Sequence, residues 1–126
     1  MKVLVDTSVW VAHLRQRDEQ LAWLLAAGRV ICHPYVVIEV ACSTPPRREE
    51  VVQLLRALEQ APLATHDELL ALIRARSLSG RGCGLVDLGL LASALLGEHI
   101  RLWSLDRRLA LLADECGRAY RPPLAA

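Results

Sequence analysis

Four acidic residues stand within or directly beside apolar stretches, where an unpaired carboxylate would be costly to bury. They are Asp6 in VLVDTSVW, Glu39 in VVIEVAC, Asp87 in GLVDLGLLASALL and Asp106 in RLWSLDRRLALL. Carboxylates brought together in a low-dielectric cleft repel one another, and raised pKa values are expected for them. A hard divalent cation removes this repulsion, because Mg²⁺ and Mn²⁺ prefer oxygen ligands. The four acids therefore predict one shared Mg²⁺ or Mn²⁺ site.

A magnesium ion held by carboxylates supports the hydrolysis of phosphodiesters. It polarises the phosphodiester, lowers the pKa of a bound water and stabilises the leaving oxygen. The chain also offers partners for a phosphate backbone, since all of its basic residues except Lys2 are arginine. Arginine can grip phosphate with two parallel hydrogen bonds. The predicted chemistry is thus metal-dependent cleavage of a nucleic acid.

Each acid taken alone also has a purely structural explanation. Asp6 and Asp106 could cap helices, and Asp87 could do the same in the first turn of an apolar helix. Glu39 could be buried and paired with an arginine. Four such explanations are then needed at once, which favours the shared site.

Other metals are disfavoured by the spacing of the soft ligands. The cysteines stand at positions 32, 42, 83 and 116 and form no CxxC pair. The four histidines are scattered, and no His–carboxylate spacing typical of a transition-metal site is present.

Short β-branched runs alternate with helical patterns along the chain. Strands are predicted at 2–5, 29–33 and 100–103, with a brief strand at 61–65 and an edge strand within 118–126. Helices are predicted over 18–27, from 49 to about 60 and over 85–96. Four more are predicted to start at 6–8, at Pro34, after a capping box at Thr65 and Glu68, and at Asp106. This alternation indicates an α/β fold with a mainly parallel sheet, and the 126 residues suit a single domain over 1–126.

The predicted elements position two of the acids at once. In open parallel sheets, sites form at the carboxyl ends of the strands. Asp6 directly follows the first strand, and Asp106 lies three residues after Trp103, which ends the strand at 100–103. The helix over 85–96, which carries Asp87, is apolar nearly all round and should be central.

The totals exclude several classes of protein. The net charge is +1, so no strong global attraction to nucleic acid or membrane is expected. No apolar run reaches the length of a membrane span, and no signal peptide is recognisable. The expected location is the cytoplasm.

The motifs around the four acids resemble those of the PIN-domain family, specifically its VapC-type toxin ribonucleases. The resemblance rests on four motifs in order, over residues 3 to about 113: LVDTSVWVAHLR, PYVVIEVA, GCGLVDLGLLASALL and IRLWSLDRRLALLA. It implies a three-layer α/β/α sandwich and an endoribonuclease dependent on Mg²⁺, with Mn²⁺ as the alternative. It also implies an RNA substrate, a homodimer and a cognate antitoxin that blocks the acidic pocket, as in type II toxin–antitoxin systems.

The resemblance carries over residue by residue to the acidic quartet of Asp6, Glu39, Asp87 and Asp106. Asp6 and Asp87 are expected to touch the metal most directly, and the other two to complete the pocket. The matching polar helpers are Thr7 and Ser104.

Two departures from the family pattern are visible. The family often has threonine where this chain has Ser104, which keeps the hydroxyl. The glycine common soon after the second acid is missing, since EVACSTPP stands there. The loop at 43–48 is therefore expected to differ.

The residues near Asp6 disfavour two phosphoryl-transfer classes, and the complete acidic set disfavours a non-catalytic module. A phosphatase of the haloacid-dehalogenase type needs an acid two residues after Asp6, where Ser8 stands, and a receiver domain needs a late lysine, whereas Lys2 is the only lysine. A non-catalytic module with the same fold would be favoured by a missing acid, and none of the four is missing.

Overall fold

The structure is a computed structural model, and it describes residues 1–123. Four parallel strands form one sheet in the order β3-β2-β1-β4, with β1 at Lys2–Val5, β2 at Val30–Cys32, β3 at Glu59–Gln60 and β4 at Ile100–Trp103. Seven helices within the described range surround it: α1 Thr7–Arg15, α2 Glu19–Ala26, α3 Pro34–Cys42, α4 Arg48–Ala57, α5 His66–Ala75, α6 Leu85–Leu96 and α7 Arg107–Glu115. The predicted α/β/α sandwich with a parallel sheet is confirmed.

The central strand β1 shows why the sheet forms here. Val3, Leu4 and Val5 are fully buried, and the strand pairs with β2 on one side and β4 on the other. β-branched and leucine side chains suit a strand that is covered on both faces, as parallel strands are. Every strand therefore points its carboxyl end toward the same edge of the sheet.

Helix α6 lies in the core, as its composition predicted. Its residues from Leu88 to Ala94 are all buried. The helix begins after Gly84 and ends at Gly97. The capping box predicted before α5 is also present, because the Thr65 side chain accepts from the Glu68 amide while Glu68 accepts from the Thr65 amide.

The third strand was predicted at the wrong residues. It lies at Glu59–Gln60 rather than 61–65, and the preceding helix ends at Ala57 rather than near residue 60. The chain becomes extended at Leu58, and the Gln60 side chain donates to the Leu55 and Leu58 carbonyls just after the helix ends. Of the predicted segment, only Ala61 donates to the sheet, at the Cys32 carbonyl.

The predicted edge strand within 118–126 is reduced to a single bridge. Ala119 pairs in parallel with Leu102, through hydrogen bonds on either side of it. Pro122 and Pro123 follow and have no N–H to extend the ladder. The rest of that prediction, 124–126, lies outside the described residues. Between residues 1 and 123, no helix has the length and apolar character needed to cross a membrane.

Candidate metal centre

Asp6 follows β1 directly and is the most buried of the four acids, with 6% of its surface exposed. It occupies the N-cap position of α1, yet its side chain makes no capping hydrogen bond. Instead Oδ2 accepts from the hydroxyls of Ser8 and Ser104, each at 2.7 Å. Bonds to an ionised acceptor are short and strong. The capping explanation is therefore wrong for Asp6, whose carboxylate is held by two neutral donors.

The two serines tie the start of α1 to the turn between β4 and α7. Ser104 Oγ accepts from the Asp106 amide at 2.9 Å, and Ser8 Oγ accepts from the Leu105 amide at 3.0 Å. The Leu105–Ser8 bond and the bond from Ser104 to Asp6 join residues nearly a hundred positions apart. Sequence reasoning assigned a role to Ser104 but missed Ser8. The available signal was a second hydroxyl placed two residues after Asp6.

Asp106 is exposed and caps α7. Its Oδ1 accepts from the amides of Arg108 and Leu109, at 2.9 and 3.1 Å. The alternative that Asp106 caps a helix is thus correct. It does not exhaust the carboxylate, because Oδ2 has no hydrogen-bond partner within 1–123.

Glu39 is exposed and makes no ion pair within residues 1–123, so the alternative in which it is buried and paired with an arginine is wrong. Helix α3 buries Val36 and Val40, whereas Ile38 is 58% exposed, so the apolar neighbours of Glu39 in sequence do not share its surroundings. Its Oε1 accepts from the Thr7 hydroxyl at 2.6 Å. The polar helper predicted beside Asp6 therefore contacts Glu39.

Asp87 is half-buried at the third position of α6, and Gly84, not Asp87, occupies the N-cap. Burial raises the pKa of the Asp87 carboxyl, and the negative charges of Asp106, Asp6 and Glu39 raise it further, against a smaller opposing effect of Arg108. Charges must be close to act in this way. The fold thus brings the four acids into one electrostatic neighbourhood.

The arrangement fits a cation that needs few protein ligands. Within residues 1–123, no three carboxylate, imidazole or thiol groups are spaced as a complete metal cage. Mg²⁺ usually takes one or two carboxylates and keeps several waters, so it does not require such a cage. None of the ion pairs in the described chain involves any of the four acids. Their oxygens and uncompensated charge suit Mg²⁺ or Mn²⁺.

Comparisons with known proteins agree with this fold. The family model described as PIN domain matches residues 3–115. The chain is 46% identical over 117 residues to Ribonuclease VapC32 of Mycobacterium tuberculosis, in strains CDC 1551 / Oshkosh and H37Rv, covering 93% of this chain and 94% of the relative. The solved structure of VapBC-1 from nontypeable Haemophilus influenzae superposes with a TM-score of 0.66 at 14% identity, covering 97% of this chain and 98% of that one.

The parallel sheet with acids at its carboxyl edge defines a PIN-type α/β/α domain. The chain belongs to the PIN-domain family, within its VapC-type group, and the resemblance seen in the sequence is confirmed.

Replacing Asp87 by asparagine should stabilise the metal-free protein at neutral pH. Because the pKa of Asp87 is raised in the fold above its ordinary value of 3.8, the folded chain binds more protons than the unfolded chain between the two values. Stability therefore falls as pH rises through this window, and the Asp87→Asn variant avoids that loss. Urea unfolding in chelator, from about pH 4 to about pH 7, should show the variant gaining on the wild type as pH rises.

Added Mg²⁺ should reverse the order of stability, because it stabilises only a chain that binds it. Asp67→Asn, at an exposed position in the first turn of α5, is the control and should not gain on the wild type as pH rises, because the charge it removes is favourable there. An Asp87→Asn variant less stable than wild type in chelator at neutral pH would contradict the convergence of charge at Asp87.

Ser104→Ala should weaken metal binding, whereas Ser104→Thr should preserve it. The alanine variant loses both the bond donated to Asp6 and the bond accepted from the Asp106 amide, and loss of such supporting bonds typically costs about 10- to 100-fold in metal affinity. Calorimetric titration with Mn²⁺ measures the difference. Equal affinities for the two variants would show that the hydroxyl does not support the site.

Proposed function

We propose that this protein is a Mg²⁺-dependent endoribonuclease, with Mn²⁺ as an alternative ion, and the toxin of a VapBC-type toxin–antitoxin system. The observation that carries the proposal is the network at the carboxyl edge of the sheet. There Asp6 accepts hydrogen bonds from Ser8 and Ser104. The pKa of Asp87 is raised by burial and by the negative charges of the three other acids. Family membership and the name of the 46% identical relative support RNA as the substrate.

In the proposed mechanism, Asp6 and Asp87 would hold the ion, and Glu39 and Asp106 would complete the pocket through water. When bound, Mg²⁺ would polarise the phosphodiester and make a bound water more acidic. The bond from Thr7 holds Glu39 Oε1, which leaves Oε2 to orient the attacking water and accept its proton. Ser104 fixes the Asp6 carboxylate by the donated hydroxyl bond.

Arginines beside this site are proposed to guide the RNA backbone. A groove of about 970 Å³ is lined by Ser104 together with Arg107, Arg108 and Arg121. Ser104 also donates to Asp6, so one wall of the groove lies beside that acid. Arg107 makes no ion pair in the described part of the chain, whereas Arg121 pairs with Asp114 at 2.7 Å. Arg107 is thus available to a phosphate.

The proposed partners are an antitoxin and a second copy of the chain. The neighbouring solved structure is described as VapBC-1, a toxin together with its antitoxin by that system's naming, and it shares the fold. An uncompensated acidic pocket would accept a positively charged side chain from such an antitoxin. Co-purification with the product of an adjacent reading frame, and light scattering of the chain alone, test the two partners. Action on RNA implies a cytoplasmic location.

Asp6→Asn should abolish RNA cleavage while the fold is retained. The asparagine is nearly isosteric, but it removes the charge that the metal requires. The assay is Mg²⁺-dependent cleavage of a panel of structured RNAs, with chelator as the blank. Asp67→Asn is the matched control and should cleave like the wild type. Equal cleavage by wild type and Asp6→Asn would assign the activity to a contaminant and favour a non-catalytic module.

Arg107→Ala should weaken RNA binding and its dependence on salt. Each lost phosphate contact lowers the slope of log affinity against log salt by about 0.7 for a single strand. Anisotropy with labelled RNA in the Asp6→Asn background measures binding without cleavage. Arg56→Ala is the control. Arg56 lies on α4 before β3, the outer strand on the side of the sheet away from β4 and Arg107. A slope unchanged by Arg107→Ala would mean that the RNA follows another path.

A further inference from the structure

Helices α3 and α6 meet at a point where only glycine leaves enough room. A Cβ added at Gly89 would lie 2.9 Å from Cε2 and 3.1 Å from Cδ2 of Tyr35. Carbon atoms in favourable contact are about 3.5 to 4.0 Å apart. The ring of Tyr35 therefore rests directly on the backbone of α6.

This glycine stands where the helix would otherwise favour another residue. Gly89 lies inside the buried stretch of α6, and glycine in a helix interior is about 0.5 to 1 kcal/mol less favourable than alanine. A glycine at such a position usually has a packing or functional reason. The contact with Tyr35 supplies the packing reason.

The tyrosine ring has little freedom to retreat. It packs against the buried imidazole of His33, with ring centroids 4.7 Å apart. The His33 Nδ1 also accepts from the Tyr35 amide at 3.0 Å, which caps α3. An added methyl at Gly89 would additionally lie 3.7 Å from His33 Cε1. Displacing the ring therefore disturbs the start of α3.

The two residues in contact are coupled through their helices to two of the acids. Glu39 is one turn after Tyr35 on the same face of α3, and Asp87 is two residues before Gly89 on α6. The ring of Tyr35 and the backbone at Gly89 are thus a point of close approach between the two helices that carry these carboxylates.

We propose that Gly89 is a positioning residue for the metal centre, which it serves by letting Tyr35 hold α3 and α6 at the separation that Glu39 and Asp87 require. The inference rests on the proposed metal-dependent function. Relieving a 2.9 Å contact needs a shift of about 0.6 Å or more. Direct ligand distances in a metal site tolerate only about 0.2 Å, and Asp87, which is proposed as a direct ligand, lies two residues from Gly89 on α6.

The test is a double-mutant cycle in Mn²⁺ affinity. Electron paramagnetic resonance of the free ion measures that affinity. Gly89→Ala should weaken Mn²⁺ binding about tenfold or more, in the range seen when a supporting group is lost. In the Tyr35→Leu background, the same substitution should cost far less, because the ring edge that it strikes is gone. RNA cleavage by the same four proteins should follow their Mn²⁺ affinity.

Gly84→Ala is the matched control, since it adds a methyl at the start of the same helix with no atom within 4 Å. It should bind Mn²⁺ like the wild type. If Gly89→Ala does not fold, Gly89→Ala combined with Tyr35→Leu should both fold and bind. Equal Mn²⁺ affinity of wild type and Gly89→Ala, or no rescue by Tyr35→Leu, would overturn the inference alone. Wild-type protein that binds no Mn²⁺ would overturn the proposed function as well.

Discussion

Repulsion between like charges at the carboxyl edge of the sheet is the constraint on which the rest of the structure depends. β1 and β4 run parallel and end side by side, so the residues that follow them, Asp6 and Asp106, are brought together by topology. Helix α6 adds Asp87 to the same edge, where burial first and the neighbouring negative charges second raise the pKa of its carboxyl. An apolar fold tolerates this concentration of charge only when something else satisfies the oxygens.

Hydroxyl groups satisfy those oxygens without cancelling the charge. Asp6 accepts from Ser8 and Ser104, and Glu39 accepts from Thr7. An arginine in the same place would make stronger bonds and would remove the negative potential that attracts a cation. In the described part of the chain, the ion pairs of arginines are made with other acids. Arg81, for example, pairs with Glu115. The hydrogen bonds given to Asp6 and Glu39 thus come from neutral hydroxyls, and Arg108 opposes the rise in the pKa of Asp87 only weakly.

The sequence alone predicts those parts of the site that depend on local order. Asp6 follows a short β-branched run, and α6 is apolar on every side, so their placement follows from periodicity. The exposure of Glu39 could not be predicted this way, because its valine and isoleucine neighbours point to different faces of α3. Ser8 acts through contacts almost a hundred residues away, which spacing does not encode. The strand at Glu59–Gln60 is only two residues long and depends on pairing with β2 rather than on its own composition.

Helix α6 combines stability and cost within a few residues. Its leucines and alanines from Leu88 to Ala94 are buried and stabilise the fold through apolar contact. Asp87 reduces that stability because its carboxylate charge is partly buried. Gly89 reduces it because glycine loses more backbone conformational entropy on folding than other residues. A helix selected for stability alone would carry neither residue. The two residues lie two positions apart on the same buried helix. Their presence is explained if the arrangement of the four acids at the carboxyl edge of the sheet, rather than the stability of α6, determines the residue types at these positions.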